Sequence, residues 1–97
     1  MRESEFQTIF LNRVKMLLPN CSVLKNDANM IQGFPDWTVI FGKYALIFEI
    51  KRNEKAAYQP NQLYYIDFIN NSGGFARAVY PENMEEVLHE IQQTYRP

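Results

Sequence analysis

The sequence predicts an α/β (α+β) domain in which helices pack on a β-sheet, and three observations predict it. Phe6, Ile9, Phe10, Val14 and Leu17 recur at the three-and-four spacing of an amphipathic helix. Two apolar runs rich in β-branched and aromatic residues, Trp37-Thr38-Val39-Ile40-Phe41 and Tyr44-Ala45-Leu46-Ile47-Phe48, are separated only by Gly42-Lys43. A second helical stripe closes the chain at Met84, Val87, Leu88, Ile91 and Tyr95. Helix stripes and strand faces in one short chain bury each other in layers.

Each element has a local reason. The first helix is expected from about Ser4, a possible N-cap, to Leu18, where Pro19-Asn20 stops it. Cys21 to Leu24 reads as a short edge strand, and the polar stretch from Lys25 to Pro35, with Asn26, Asp27, Asn29 and Gly33, reads as a loop. Gly first in a two-residue connection suits a type II′ hairpin turn at Gly42-Lys43. A second helix is expected from Pro60 to about Asn71, with proline at its first position and Gly73-Gly74 beyond its end. Phe75 to Tyr80 reads as a strand. Asn83, with Glu86 three residues on, is a variant of the capping box before the last helix.

Composition removes several function classes. Ninety-seven residues make one domain, 1–97, with no repeat or linker, and a chain this short has little stability to spare. Apolar residues at 46% and charged residues at 22% exclude a disordered chain. A net charge of −1 excludes a strongly basic nucleic-acid coat but leaves room for a local basic patch. Cys21 has no partner for an internal disulfide, and Cys21 with His89 cannot build a Cys/His zinc site. Cys21 is expected as a small apolar filler, His89 as a solvent-facing or boundary histidine, and Glu82, Glu85, Glu86 and Glu90 as a solvated helix face. No apolar run approaches a membrane span and the start of the chain has no signal-peptide pattern, so a cytoplasmic location is expected.

The hairpin register supplies the sharpest chemical argument. With Gly42 and Lys43 in the turn, Phe41 faces Tyr44, and counting outward places Asp36 opposite Glu49. Directly opposed residues share a face with Cβ atoms about 4.5–5.5 Å apart, and Lys51 points the same way. Opposed like charges repel, so either Lys51 screens a surface ladder of acids or a divalent cation offsets the repulsion. Gln62 shares a helical face with Tyr65, Ile66 and Ile69, which sets an amide either at a buried stripe in need of partners or at its wet end.

Gly33-Phe34-Pro35-Asp36, a hairpin, and Glu49-Ile50-Lys51 together resemble the PD-(D/E)xK nuclease signature. Within that superfamily the chain is most similar to the virus-type replication-repair nuclease group, VRR-NUC. That group's pattern has a helical glutamate, a G-x-P-D turn, an E-x-K strand end, a glutamine opening the next helix, an aromatic three residues on, and a glycine after that helix. Here these are matched by Glu3, with Glu5 its near alternative, and by Asp36, Glu49, Lys51, Gln62, Tyr65 and Gly73; Gln59 competes weakly with Gln62 but precedes Pro60 and reads as the helix-entry residue. The resemblance spans Glu3 to Tyr80. It implies a restriction-endonuclease-like αβββαβ core with a mixed central sheet, extended here by a C-terminal helix. It further implies a Mg²⁺- or Mn²⁺-dependent DNA endonuclease: Asp36, Glu49, the Ile50 backbone carbonyl and Glu3 at the metal, and Lys51 and Gln62 beside them as catalytic groups. Arg52 and Lys55, and also Lys25, flank the site as possible phosphate contacts. Several members that consist of this domain alone are linked to cutting branched DNA such as Holliday junctions, as homodimers, which implies the same substrate and assembly here. A phage or prokaryotic host cell is the setting so implied. The alternative is a catalytically silent DNA-binding or assembly module of the same fold.

Overall fold

Residues 1–27 and 29–97 are described by a computed structural model. Ala28, in the stretch expected as loop, lies outside them. The elements follow as α1 (Glu3–Leu17), β1 (Ser22–Lys25), β2 (Trp37–Phe41), β3 (Tyr44–Ile50), α2 (Gln62–Asn71), β4 (Phe75–Val79), a 3₁₀ turn (Pro81–Asn83) and α3 (Met84–Tyr95). They form one four-stranded sheet in the order β1-β2-β3-β4. The first two pairings are antiparallel and β3–β4 is parallel, with α2 as the crossover, so the sheet is mixed as expected.

The β2–β3 hairpin has the register counted from its turn: Phe41 faces Tyr44 and Trp37 faces Phe48. Gly42 takes φ +60°, the left-handed value that the first position of a type II′ turn requires. Alternation along β3 then divides its residues. Leu46, Phe48 and Ile50 are fully buried in a core shared with Phe6, Phe10 and Val14 of α1 and with Val87, Leu88 and Ile91 of α3. Phe48 stands edge-on to both Phe10 and Phe75. Glu49 falls on the other face of the strand, together with Ile47. That face leads to α2, which packs beside β4.

Several local expectations need correction. Ser4 lies inside α1, whose N-cap is Arg2, and no side chain caps that end. Ile9 is 40% exposed, and Leu11 and Leu18 take its place in the buried stripe. Helix α2 starts at Gln62, not Pro60, because Asn61 turns into a left-handed conformation at φ 72°. Strand β4 ends at Val79.

Asn83 does not cap α3 with its side chain. It accepts a hydrogen bond from the Tyr80 backbone N–H (2.9 Å) and donates to the Ala78 carbonyl (3.0 Å). Asn70 both donates to and accepts from the backbone of Ala76. These two asparagines thus satisfy outward backbone groups of β4, an edge strand, and block further strand pairing there. Glu90 is no mere solvated acid: the Arg77 guanidinium grips it through two hydrogen bonds of 2.9 and 2.6 Å. His89 is exposed, and Cys21 packs at the core margin, both as expected.

Candidate active site

Three segments meet at the open end of the hairpin. The first is the stretch ahead of β2 that carries Gly33 to Asp36, closed by Asn26. Its backbone N–H donates to the Asp36 carbonyl (2.7 Å), its side-chain amide donates to the Pro35 carbonyl (2.8 Å), and its Oδ1 accepts from Thr38 (3.0 Å). Asn26 therefore fixes the turn that delivers Asp36 just ahead of β2. The second segment is the end of β3, carrying Glu49, Ile50 and Lys51. The third is the N-terminus of α2 with Gln62.

Gly33 locks the first segment to the third. Its φ is +86°, and a Cβ there would lie 2.2 Å from the Pro60 carbonyl oxygen and 2.7 Å from Asn61 Cβ. Only glycine permits both this backbone conformation and this approach.

The side chains that converge are unusually buried for their polarity: Glu49 is 2% exposed, Lys51 7% and Gln62 5%. Lys51 Nζ donates to Gln62 Oε1 (2.9 Å) and to the Ala57 carbonyl (3.1 Å), and lies 3.5 Å from Glu49 Oε2. The Tyr58 ring sits under the same ammonium, 4.9 Å from centroid to Nζ. Gln62 Oε1 also accepts from the Gln59 backbone N–H (2.7 Å), so the amide is held from two sides. Glu49 Oε1, by contrast, is buried with no hydrogen-bond partner among the described residues. An open pocket of about 440 Å³ is lined by Asp36, Glu49, Lys51 and Gln62, with Glu3 and Phe34 among its other walls.

The sequence-derived site residues divide accordingly. Asp36, Glu49, Lys51 and Gln62 come together as expected, and Glu3 reaches the same pocket from α1. Glu3 does not complete a close cluster: no three Asp, Glu, His or Cys residues group as metal ligands among the described residues. Glu5 turns aside to pair with Arg2 (2.7 Å). Arg52 borders an adjoining depression with Glu3. Lys55 is exposed in the turn after β3 and does not line the pocket, and Lys25 lies over the Trp37 ring at 4.8 Å. Ala57, Tyr58 and Gln59 hold Lys51 and Gln62 in place; of these the sequence points only to Gln59, as a residue entering the helix, and to none of the three as a holder of Lys51. Two of the three act through backbone atoms, for which residue identity gives no signal.

Burial foremost, and the Asp36 charge after it, push the Glu49 carboxyl from 4.5 up to about 7, with Lys51 pulling the other way. Between these two values the folded protein holds a proton that the unfolded chain has released. The stabilising contribution is therefore complete below pH 4.5 and lost as pH rises to about 7. Glu49→Gln, permanently neutral, is expected to match the parent near pH 4.5. Above pH 7, without divalent cations, it should exceed the parent by roughly 3 kcal/mol. Thermal melts across this range in a chelator check it, and equal melting temperatures at pH 8 would contradict it.

A solved structure described as a VRR_NUC domain matches the chain with a TM-score of 0.73 at 21% identity, covering 96% of each chain. The fold is the VRR-NUC fold. Neither a family model nor a curated protein matches the sequence. The VRR-NUC architecture agrees with the restriction-endonuclease-like core expected from the ordered motifs, down to the mixed sheet and flanking helices. No helix among the described residues is long and apolar enough to cross a membrane.

Proposed function

We propose that this VRR-NUC domain is a metal-dependent deoxyribonuclease that hydrolyses phosphodiester bonds in the pocket of Asp36, Glu49, Lys51 and Gln62. The observation that carries the reading is the unpartnered, buried Glu49 Oε1 in a pocket shared with a second carboxylate. A buried carboxylate is costly unless it is paired or binds a cation, and hard divalent ions favour carboxylate oxygen. Asp36, Glu49 and the Ile50 backbone carbonyl would hold Mg²⁺ or Mn²⁺, with Glu3 contributing from the rim through water. When bound, such an ion supplies Lewis-acid polarisation of the phosphate and a lowered pKa for water.

The chain's own groups do the rest. Gln62 and the Ala57 carbonyl take two of the three Lys51 N–H groups, which leaves one for the Glu49 side of the pocket, where Oε2 lies 3.5 Å away. From there Lys51 orients the attacking water or stabilises negative charge developing on the phosphate oxygens. The expected products are a 5′-phosphate and a 3′-hydroxyl. The complete set of two acids, lysine and glutamine favours this reading over a catalytically silent module.

Substrate selection follows from charge. With a net charge of −1 and acids at the site, phosphate contacts rest on few cations, Arg52 and Lys55 among them. Few neutralised phosphates mean weak binding per subunit. A homodimer gains avidity only where both sites engage at once, as on the arms of a branched substrate. The expected result is a dimer in sedimentation that binds four-way junctions at least about tenfold tighter than linear duplex in Ca²⁺. Cleavage of a panel of linear, flapped and four-way DNA with and without Mg²⁺ tests the activity itself. No cleavage of any substrate with Mg²⁺ or Mn²⁺ would refute the nuclease reading, and a monomer with equal affinities would refute junction selection alone.

A further inference from the structure

An aromatic path leaves the pocket along α2. Phe34, on the pocket wall, meets Tyr65 with ring centroids 5.6 Å apart. Tyr65 meets Tyr64 at 5.1 Å, and Tyr64 stacks on Phe68 at 6.1 Å with an interplanar angle of 28°. The two outer rings are not core: Tyr64 is 60% exposed and Phe68 54%. Such a contiguous apolar surface, joined to a functional pocket, marks a binding face.

The chemistry of α2 selects the occupant. The helix QLYYIDFINN carries Asp67 and no lysine or arginine, so any affinity for nucleic acid along it has to come from its exposed rings rather than from phosphate contacts. Aromatic rings instead stack on the π-faces of unpaired bases regardless of base identity. Continuity with Phe34 matters here, because a strand whose phosphate lies in the pocket would lay its neighbouring nucleotides along these rings.

We infer that Phe34, Tyr65, Tyr64 and Phe68 form a stacking platform for unpaired bases beside the scissile phosphate, so that the domain favours substrates with single-stranded nucleotides next to the cut. This rests on the nuclease reading for the position of the phosphate, while the platform itself is tested by binding. A forked oligodeoxynucleotide with a single-stranded arm is compared with the same fork carrying abasic sites in that arm, in Ca²⁺. Binding is measured for the parent chain, Tyr64→Ala and Phe68→Ala, with circular dichroism confirming the fold of both exposed-site variants. Each variant is expected to bind the natural arm about tenfold or more weaker, and the abasic arm is expected to abolish the difference. 2-Aminopurine in the arm should be quenched by the parent and less so by either variant.

Unchanged affinity and quenching would overturn the platform. So would conversion of a dimer to a monomer by the same variants, since the face would then be covered by a second copy of the chain. Cleavage with Mg²⁺ is scored separately. Ring-dependent binding without cutting supports the platform while refuting the nuclease reading, and cutting without ring-dependent binding overturns the platform alone.

Discussion

Lys51→Ala is expected to lower cleavage by on the order of 10²–10³-fold while leaving Mg²⁺ affinity nearly unchanged, the loss typical of one preorganised donor at a developing charge. The geometry supports this split between rate and metal. An ammonium cannot ligate a cation, yet Lys51 is 7% exposed and held by Gln62, the Ala57 carbonyl and the Tyr58 ring. Three neighbours orient its ammonium, which suits a donor kept ready for substrate. Gln62→Leu should reproduce part of the loss, because Lys51 Nζ then loses its 2.9 Å acceptor. Single-turnover cleavage alongside calorimetric Mg²⁺ titration checks the pair, and loss of metal binding together with rate in Lys51→Ala would assign the lysine to structure instead.

The largest effect on stability is expected at Gly33. At φ +86°, a side chain is strained in any case, and the added methyl would also sit 2.2 Å from the Pro60 carbonyl oxygen. The obstacle is backbone rather than a movable side-chain tip, so either the segment around Gly33 or the start of α2 must shift. Backbone strain alone costs about 1–3 kcal/mol. With the clash, Gly33→Ala should lose roughly 3 kcal/mol or more, a large share of the 5–15 kcal/mol that stabilises a typical domain. Activity should fall even in the folded fraction, since the same lock sets Gln62 and hence Lys51. Denaturant unfolding with cleavage of the residual folded protein tests this, and a neutral Gly33→Ala would mean that the two segments are not coupled.

Much of this arrangement is legible in the residues alone, and the reason is local geometry. A two-residue turn at Gly42-Lys43 leaves a single register, so Asp36 and Glu49 can be set opposite each other by counting. The stripe of α3 reads directly because Val87, Leu88 and Ile91 keep helical spacing and are all buried. The segment from Arg52 to Asn61 behaves otherwise. It has no periodicity, and its contributions are a carbonyl at Ala57, an N–H at Gln59 and a left-handed Asn61. Backbone groups look the same in every residue, so that half of the Lys51 cage becomes visible only in three dimensions. The pairing of Arg77 with Glu90 is similarly hidden, because side chains 13 residues apart meet only once β4 and α3 have packed.

Asp36 and Glu49 are proposed to hold a divalent cation that the chemistry needs. Calorimetric titration of Mg²⁺ into the parent chain, Asp36→Asn and Glu49→Gln tests this most directly, because it reads the metal without requiring the right DNA. The parent is expected to bind Mg²⁺, more strongly as pH rises toward 7 and Glu49 gives up its proton. Each variant is expected to lose that binding while keeping a cooperative fold. Unchanged Mg²⁺ affinity in both variants would contradict the account and leave the two opposed carboxylates without a metal-binding role.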